Sequence, residues 1–290
     1  SLDDILSIQS ADHPFVFKTK PLTDKKVKSR SVTASNDLHY GDSTVEHCWQ
    51  QANRVIDKDI SLLILGETGV GKNEFVKALH KNSQRKTGPL VSVNCGALPK
   101  DLVESELFGY VAGAFTGANS KGYQGKIRQA HKGILFLDEI ADLPLEAQSR
   151  LLHVLQDKTV LPVGSNQSVQ VDTQIIAATH KDLENLVSEG LFRQDLYYRI
   201  NVIRLEVPSL ADRSEDALPL IEHILGKLAQ QHHTSIPKLS SRALSALQAY
   251  SFPGNIRELE NILERAVTLC ENDLIDEDLL QLPTEPLSKS

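Results

Sequence analysis

The residues best suited to chemistry form a glycine-rich stretch, Gly66 to Asn73, with the sequence GETGVGKN. Gly66, Gly71 and Lys72 meet the spacing G-x-x-x-x-G-K, between an apolar run and a helical pattern. A strand, such a turn and a helix point backbone N–H groups at phosphate oxygens. Asn73, however, stands where a Ser or Thr hydroxyl normally holds magnesium. The pattern predicts nucleotide binding; the simpler alternative is a turn that carries a surface lysine.

Two adjacent carboxylates, Asp138 and Glu139, follow the apolar run Ile134 to Leu137. Successive side chains of a strand point to opposite faces, so two carboxylates at its end suit two tasks. Asp138 is suited to holding magnesium, directly or through water, and Glu139 to polarising an attacking water. An acidic pair at a strand end is common by itself. Together with the upstream phosphate loop, it indicates a hydrolase rather than a passive nucleotide binder.

Further polar and cationic candidates lie later in the chain. Thr179 and His180 end the run Gln174 to Ala178, where a polar residue either approaches the last phosphate or caps the strand. Arg193, Arg199 and Arg257 are candidates for stabilising the charge that develops in phosphoryl transfer. They could act on the nucleotide of their own chain or on that of a neighbour. The alternative for each arginine is a surface salt bridge.

The stretch Gly113 to Ala118 reads GAFTGA and sets one Phe-Thr pair among small residues. Gly113 and Gly117 permit a tight, mobile turn. Phe115 is then either exposed at the tip, which indicates a partner surface, or buried in a packed turn. Both interpretations stay open at the level of this motif.

Short apolar runs alternate with helical patterns as far as Pro208. The predicted strands are Ile60 to Leu65, Leu90 to Val93, Ile134 to Leu137, Gln174 to Ala178 and Val202 to Val207. The predicted helices are Asp42 to Ile56, Asn73 to Lys81, Asp101 to Phe108, Leu145 to Gln156 and Leu183 to Glu189. Such alternation predicts an α/β domain with a mostly parallel sheet covered on both faces. Val160 to Val171 reads as a hairpin around Gly164.

The pattern changes after Pro208, and from Ser214 onward it predicts helices and no strand. These helices are Ala217 to Leu228, Ser241 to Tyr250 and Asn255 to Cys270. We therefore predict an α/β domain over residues 39–210 and a small helical domain over 211–285. Residues 1–38, with a basic cluster from Lys25 to Arg30, read as a linker or arm, or alternatively as a nucleic-acid contact. Residues 286–290 read as a tail.

The composition is that of an ordinary globular protein, with 290 residues of which 40% are hydrophobic and 24% charged. A net charge of −7 argues against a general DNA-binding surface. The three cysteines show no metal-ligand spacing and indicate reduced thiols in the cytoplasm. No apolar run approaches the roughly 18 residues of a membrane span. The chain contains no methionine, and we interpret it as a fragment, a processed form or an edited sequence.

Five motifs stand in an order that resembles the central AAA+ domain of bacterial enhancer-binding proteins, the transcription activators of RNA polymerase carrying sigma-54. They are GETGVGK (Gly66 to Lys72), GAFTGA, LFLDEI (Leu135 to Ile140), FRQDLYYRI (Phe192 to Ile200) and PGNIREL (Pro253 to Leu259). The resemblance covers about Asp42 to Leu282. It implies a P-loop three-layer domain with a parallel five-stranded sheet, a small all-helical lid, ATP and Mg²⁺ as cofactors, and assembly into a ring, usually a hexamer.

The resemblance also implies a role for each candidate residue. ATP binding is assigned to Gly66, Glu67, Thr68, Gly69, Val70, Gly71, Lys72 and Asn73, with Thr179 as a sensor and Arg257 in the lid. Mg²⁺ is assigned to Asp138 and the attacking water to Glu139. Asn94 is expected to hydrogen-bond Glu139 and to link nucleotide state to loop position. Arg193 and Arg199 are expected to act on the adjacent subunit. Sigma-54 contact is assigned to Gly113, Ala114, Phe115, Thr116, Gly117 and Ala118.

The expected partners are sigma-54, the RNA polymerase holoenzyme and further copies of the chain. DNA binding is expected only through a domain absent from this sequence, and no membrane contact is expected. Asn73 differs from the Glu that this family frequently carries after the lysine, which puts the magnesium shell in question. One rival is an AAA+ unfoldase or chelatase-type motor, which would unfold a generic protein. Another is a nucleotide-gated assembly module, which would release no phosphate at any protein concentration.

Overall fold

The structure is a computed structural model that describes residues 42–58, 60–270 and 272–283. The predicted arm over residues 1–38, its basic cluster and the predicted tail over 286–290 lie outside the described residues. The boundary predicted between residues 210 and 211 stays a prediction.

A five-stranded parallel sheet forms the centre of the α/β part, with the strand order β2-β3-β6-β1-β7. All five strands predicted for this sheet are confirmed, to within two residues at each end. The described strands are β1 Leu62–Leu65, β2 Leu90–Asn94, β3 Ile134–Asp138, β4 Thr159–Val160, β5 Val169–Gln170, β6 Gln174–Thr179, β7 Ile203–Glu206, β8 Lys238–Leu239 and β9 Leu274–Ile275. Because the sheet is parallel, the carboxyl ends of β1, β3 and β6 meet at one edge.

Helices cover both faces of the sheet and form a separate group after β7. The described helices are α1 Ser43–Val55, α2 Lys72–Asn82, α3 Val103–Phe108, α4 Lys126–Gln129, α5 Leu145–Asp157, α6 Leu183–Ser188, α7 Gln194–Ile200, α8 Ala217–His232, α9 Ser241–Ala249, α10 Asn255–Leu269 and α11 Glu277–Leu280. The sequence predicts the longer ones and the six-residue helices α3 and α6. It misses α4 and α11, because four residues give too short a window for a 3.6-residue period, and it also misses α7.

Side-chain alternation along the strands divides the α/β core into two layers. Leu62 and Ile64 of β1 pack with α1 and α2 on one face of the sheet. Leu63 packs with α3, α5 and α7 on the other face. Strands buried on both faces read as continuous apolar runs, and for this reason the sequence reveals them so clearly. The predicted three-layer arrangement is confirmed.

The first helix, α1, packs into the core beside the phosphate loop. Asp42 caps it by accepting the backbone N–H groups of Thr44 and Val45 at 2.8 and 3.1 Å. Its Cys48 thiol is buried and donates to the carbonyl oxygen of Glu206 in β7 at 3.0 Å. Burial raises the pKa of this thiol, which suits a packing role.

The predicted hairpin between residues 160 and 171 is confirmed by β4 and β5, which pair antiparallel with Val160 opposite Val169.

The lid encloses its own core between α8, α9, α10 and α11. One detail differs from the predicted all-helical lid, because β8 and β9 pair in parallel there. Strands of two residues are too short to show an alternation of apolar and polar residues, so the sequence does not predict them. No described helix has the length and apolar content that crossing a membrane requires.

Candidate functional site

The phosphate loop joins β1 to α2, and its glycines adopt backbone conformations that other residues avoid. Gly69 has φ +84° and Gly71 has φ +98°. A Cβ atom on Gly69 would lie 2.4 Å from the carbonyl oxygen of Gly254 in the lid. Glycine at this position therefore allows the lid to approach the loop, and α2 begins immediately afterwards at Lys72.

The ammonium group of Lys72 points back over the loop and is only 6% exposed. Its Nζ donates to the carbonyl oxygens of Gly66 at 2.8 Å and Glu67 at 3.2 Å, and lies 3.8 Å from Oε1 of Glu139. Burial lowers the pKa of Lys72, and the carboxylates of Glu139 and Asp138 oppose that shift. A phosphate would replace two neutral carbonyl partners with charged oxygens, which strengthens the interaction.

Asp138 is the last residue of β3, and its carboxylate lies close to the side chain of Asn73. Its Oδ2 lies 3.5 Å from Nδ2 of Asn73, and its Oδ1 accepts the backbone N–H of Glu139 at 3.1 Å. Burial raises the pKa of Asp138, while the Lys72 charge acts in the opposite direction. Among the described residues, no group of three or more His, Cys, Asp or Glu side chains could hold a metal ion by itself. Mg²⁺ commonly binds one or two carboxylates together with substrate phosphates, and Asp138 offers one carboxylate beside the phosphate loop.

Glu139 turns away from the strand axis with a positive φ of 52°. This conformation carries its carboxylate to the end of β6, where Oε2 accepts three hydrogen bonds. The donors are Oγ1 of Thr179 at 3.3 Å, the backbone N–H of His180 at 3.3 Å and the His180 ring at Nδ1, 2.8 Å away. The sequence places Thr179 and His180 at this strand end, but it does not predict that both residues bond to Glu139.

Asn94 does not meet Glu139 in this structure, contrary to the contact implied by the resemblance. Asn94 is the partner of Asp138 in the β2–β3 register, and its Oδ1 accepts the backbone N–H of Ala97 at 3.1 Å. No hydrogen bond joins Asn94 to Glu139 in the part of the chain that the structure describes. The positive φ of Glu139 directs its carboxylate towards β6 rather than β2, which explains the separation.

The lid reaches the phosphate loop through the start of α10. The backbone N–H of Ile256 donates to the carbonyl oxygen of Gly69 at 3.0 Å. Arg257 is exposed beside the loop, where a Cβ on Gly69 would lie 3.2 Å from its Cβ. Burial raises the pKa of Asp138 and lowers that of Lys72; the charge of Arg257 opposes the first shift and adds to the second. The structure thus brings Arg257 to the site from the start of α10 in the helical lid.

Two further residues that the sequence did not single out, Asn255 and Arg213, attach the lid to the loop. Asn255 is buried, and its Nδ2 donates to Oε2 of Glu67 at 3.0 Å and to the carbonyl oxygen of Thr68 at 3.2 Å. Its Oδ1 accepts the backbone N–H of Leu210 at 2.7 Å. Arg213 is also buried and donates to the carbonyl oxygen of Val70 at 2.6 Å. These partners lie far apart in sequence, so no local pattern reveals them.

Arg193 and Arg199 lie at the two ends of α7 and are both exposed. The Arg193 guanidinium pairs with both carboxylate oxygens of Asp195, at 2.7 and 3.0 Å, which raises the pKa of Arg193 and lowers that of Asp195. Arg199 donates to the carbonyl oxygen of Leu155 at 2.9 Å. Within the described residues, neither arginine bonds to the phosphate loop or the acidic pair of its own chain.

The loop Gly113 to Ala118 stands out from the α/β domain, with Gly113 and Gly117 at φ +75° and +92°. Phe115 is 43% exposed, and its ring meets that of Tyr110 edge-on with centroids 5.0 Å apart. Thr116 is exposed beside it. Of the two interpretations of this motif, the geometry favours the exposed tip over the packed turn.

A parallel sheet with a phosphate loop and an acidic pair at its carboxyl edge, closed by a helical lid, defines a P-loop NTPase of AAA+ architecture. Residues 38–206 match the family described as the Sigma-54 interaction domain, and residues 211–288 match the AAA+ ATPase lid domain. The chain belongs to this family of AAA+ domains from sigma-54-dependent transcription regulators. Nucleotide binding and sigma-54 interaction are properties of that family.

The similar proteins are bacterial transcription regulators. Transcriptional regulatory protein GlrR of Escherichia coli K12 is 41% identical over 92% of this chain and 59% of its own length. The DNA-binding transcriptional regulator NtrC of Rhizobium meliloti is 40% identical over 86% of this chain and 52% of its own. NtrX from Brucella abortus, solved in complex with ADP, has a TM-score of 0.77 at 35% identity over 87% of this chain and 57% of that chain. The chain therefore spans about half to three fifths of these proteins.

Proposed function

We propose that this chain hydrolyses ATP to ADP and phosphate between adjacent copies of itself, and thereby moves the loop Gly113 to Ala118 against sigma-54 in the RNA polymerase holoenzyme. The proposal rests on where the residues of the site and the tip of the loop lie. Lys72, Asp138 and Glu139 meet at the base of the phosphate loop. Phe115 meanwhile stays exposed on the loop of the same domain. A hydrolytic site and a protruding apolar tip on one domain suit the conversion of hydrolysis into movement of a partner.

Each residue of the site has a proposed task. The loop amides and Lys72 bind the phosphates, and Arg257 closes on them from the lid. Asp138 holds Mg²⁺, which neutralises charge on the transferred phosphoryl group. Glu139 orients and deprotonates water: Thr179 and His180 bond its Oε2, which leaves Oε1, on the Lys72 side, for that water.

Arg193 and Arg199 complete the site of the adjacent copy. Their exposure, and their separation from the phosphate loop of their own chain, support action in trans. A subunit that offers its arginines to one neighbour and its phosphate loop to the other makes head-to-tail contacts. Such contacts form a ring when the rotation between copies closes. We propose a hexamer on the basis of the resemblance.

The loop responds to the nucleotide through the segment between β2 and α3. This segment starts at Asn94, next to Asp138 in the sheet, and α3 ends one residue before the loop region begins at Gly109. We propose that Glu139 exchanges Thr179 and His180 for Asn94 in another nucleotide state. Such an exchange would pull on α3 and shift the position of Phe115.

The experiment compares three single variants in ATP binding, phosphate release and sigma-54 binding. Lys72→Ala removes the phosphate-binding charge and abolishes ATP binding. Glu139→Ala keeps ATP binding and loses turnover by about 10²–10⁴-fold. Thr116→Ala keeps both and loses sigma-54 binding, because it changes only the tip. A Thr116→Ala variant that still engages sigma-54 and activates transcription normally would rule out the loop assignment.

A further inference from the structure

The side chain of Gln148 is fully buried in the first turn of α5, yet it is polar. Its Nε2 donates to the carbonyl oxygens of Leu143 at 2.8 Å and Leu191 at 3.1 Å, and its Oε1 accepts the backbone N–H of Arg193 at 2.8 Å. A primary amide has two N–H donors and one carbonyl oxygen, so both donors are in use. A buried amide bonded to three main-chain positions fixes their relative placement.

One of these positions belongs to the segment that leaves the acidic pair. Glu139 is followed directly by the 3₁₀ turn Ile140–Asp142, and Leu143 ends that turn. The bond from Gln148 to the Leu143 carbonyl therefore holds the chain four residues after Glu139. It connects α5 to the hydrolytic site of its own subunit.

The other two positions belong to the segment that leads into α7. Arg193 is the N-cap residue of this helix, and its backbone N–H donates to Oε1 of Gln148. At the other end of α7, the Arg199 guanidinium bonds to the Leu155 carbonyl oxygen of α5. Both ends of the arginine-bearing helix are thus fixed to α5.

We infer that Gln148 is a positioning residue that sets the placement of Arg193 and Arg199 for the neighbouring subunit's nucleotide. It also links this placement to the segment that follows Glu139 in the chain. The inference rests on the proposed action of these arginines in trans. Gln148 touches neither nucleotide nor water and acts through α7. Its loss would misplace the start of this helix, and displacements on the order of 1 Å lower rates by about a hundredfold.

The first experiment replaces Gln148 by Met, which is similar in size and cannot form the three bonds. The matched control is Gln174→Met, since Gln174 is equally buried and donates to the Ile60 carbonyl oxygen at 3.2 Å, at the opposite end of β6 from the site. Rates are expressed per ATP-binding chain, so a loss of folded protein does not count. Gln148→Met should bind ATP and hydrolyse it about a hundredfold more slowly, whereas Gln174→Met should hydrolyse it at the wild-type rate.

The second experiment mixes subunits, because a defect that acts in trans can be complemented. Gln148→Met subunits retain a working phosphate loop, and Lys72→Ala subunits retain working arginines. An equal mixture should hydrolyse ATP well above the sum of the two separate preparations. A mixture of the Arg193→Ala/Arg199→Ala double variant with Lys72→Ala serves as the reference.

The outcomes separate the inference from the function on which it rests. Restoration in both mixtures supports both. Restoration with the arginine variant alone overturns the inference, because Gln148 then acts inside its own site or only on folding. Hydrolysis by Gln148→Met within twofold of Gln174→Met overturns it as well. An arginine mixture that stays inactive, or arginine variants that hydrolyse normally, overturns the trans proposal and the inference together.

Discussion

At the scale of single residues, the site contains ionisable groups whose burial disfavours their charged forms. Burial lowers the pKa of the Lys72 ammonium and raises that of the Asp138 carboxyl, so the charged form of each is disfavoured. In the proposed mechanism, both groups act in their charged forms, Lys72 on phosphates and Asp138 on a metal ion. The protein without nucleotide is therefore less stable than its packing alone would allow, as is common for functional sites.

Asp138→Asn should stabilise the nucleotide-free protein while removing its response to Mg²⁺ and ATP. The substitution removes the unfavourable ionisation and leaves an oxygen for the Glu139 N–H. We expect an unfolding midpoint higher by a few degrees, about 1 kcal/mol or less. Thermal unfolding with and without Mg²⁺ and ATP measures both effects.

The stability difference between the wild type and Asp138→Asn should grow as pH rises. The ordinary pKa of 3.8 applies to the unfolded chain, and the folded pKa of Asp138 is higher. Between these values the folded state binds more protons, so the wild type loses stability as pH rises. The advantage of Asp138→Asn should vanish below about pH 3.8 and be complete above the raised pKa. A wild type more stable than the variant at neutral pH would contradict this account.

The sequence identifies the residues proposed to contact phosphate, metal and water better than those that hold them in place. Lys72 and Asp138 stand in motifs because their spacing from a strand end is local. The contacts of His180 and Asn255 were not predicted, because their partners, Glu139 and Glu67, lie 41 and 188 residues away. Only the fold brings such pairs together, and an isolated His or Asn carries no sign of it.

At the scale of elements, the exposed loop rests on the β4–β5 hairpin. The backbone N–H of Val111 donates to the Val163 carbonyl oxygen at 3.1 Å, and that of Val163 donates to the Gly109 carbonyl oxygen at 2.8 Å. Gly164 in the hairpin turn then faces Ala114 within the loop. The hairpin therefore sets the position from which the loop presents Phe115.

Gly164→Ala should displace the loop without affecting hydrolysis. The new Cβ would lie 2.9 Å from the Cβ of Ala114, so that residue has to move. We expect sigma-54 binding to weaken roughly tenfold, or about 1.4 kcal/mol, with phosphate release unchanged. Gly190→Ala is the control, because it has a similar positive φ of 71° but nothing within 4 Å of the added carbon. Equal sigma-54 binding by both variants would show that the contact with Ala114 is unimportant.

Asn255→Ala should loosen the attachment of the lid to the phosphate loop. It leaves the Leu210 N–H and the Glu67 carboxylate without this partner, at a cost of about 1–3 kcal/mol. ATP affinity should fall as well, because the loop loses its support. Ser240→Ala controls for stability alone, since it removes the N-cap of α9, and the Ser240 hydroxyl bonds to Ala243 and Asp276 rather than to the loop. Calorimetry and ATP titration compare the two; equal ATP affinity in both would exclude a role for the attachment.

The elements that the sequence predicts well are those whose pattern is long and whose burial is uniform. The five sheet strands are apolar on both sides, and α10 shows an apolar stripe over 15 residues. The paired strands β8 and β9 and the short helix α7 were missed, because tertiary contacts rather than periodicity stabilise them. For α7 those contacts are the Gln148 and Leu155 bonds to α5.

At the scale of the whole molecule, a single copy of the chain holds only part of the proposed site. The phosphate loop, acidic pair and lid converge, whereas α7 presents its arginines at the surface. Helix α5 follows the acidic pair and fixes α7, so changes in one site can reach the next copy around a ring. Hydrolysis in such an assembly depends on association, and ATP binding by one chain does not.

Phosphate release per chain should therefore rise with protein concentration and reach a plateau when assembly is complete. Arg199→Ala and Arg193→Ala are tested singly, and loss of the arginine that contacts the neighbour's nucleotide should lower the plateau by about 10³-fold or more. ATP affinity in these variants should stay near that of the wild type, because neither side chain bonds to its own loop. Arg204→Ala, which removes an exposed arginine paired with Glu206 at 2.7 Å, is the control. Molecular mass is followed in the same samples, and a rate per chain that stays constant across the monomer-to-oligomer transition would exclude a site shared between copies.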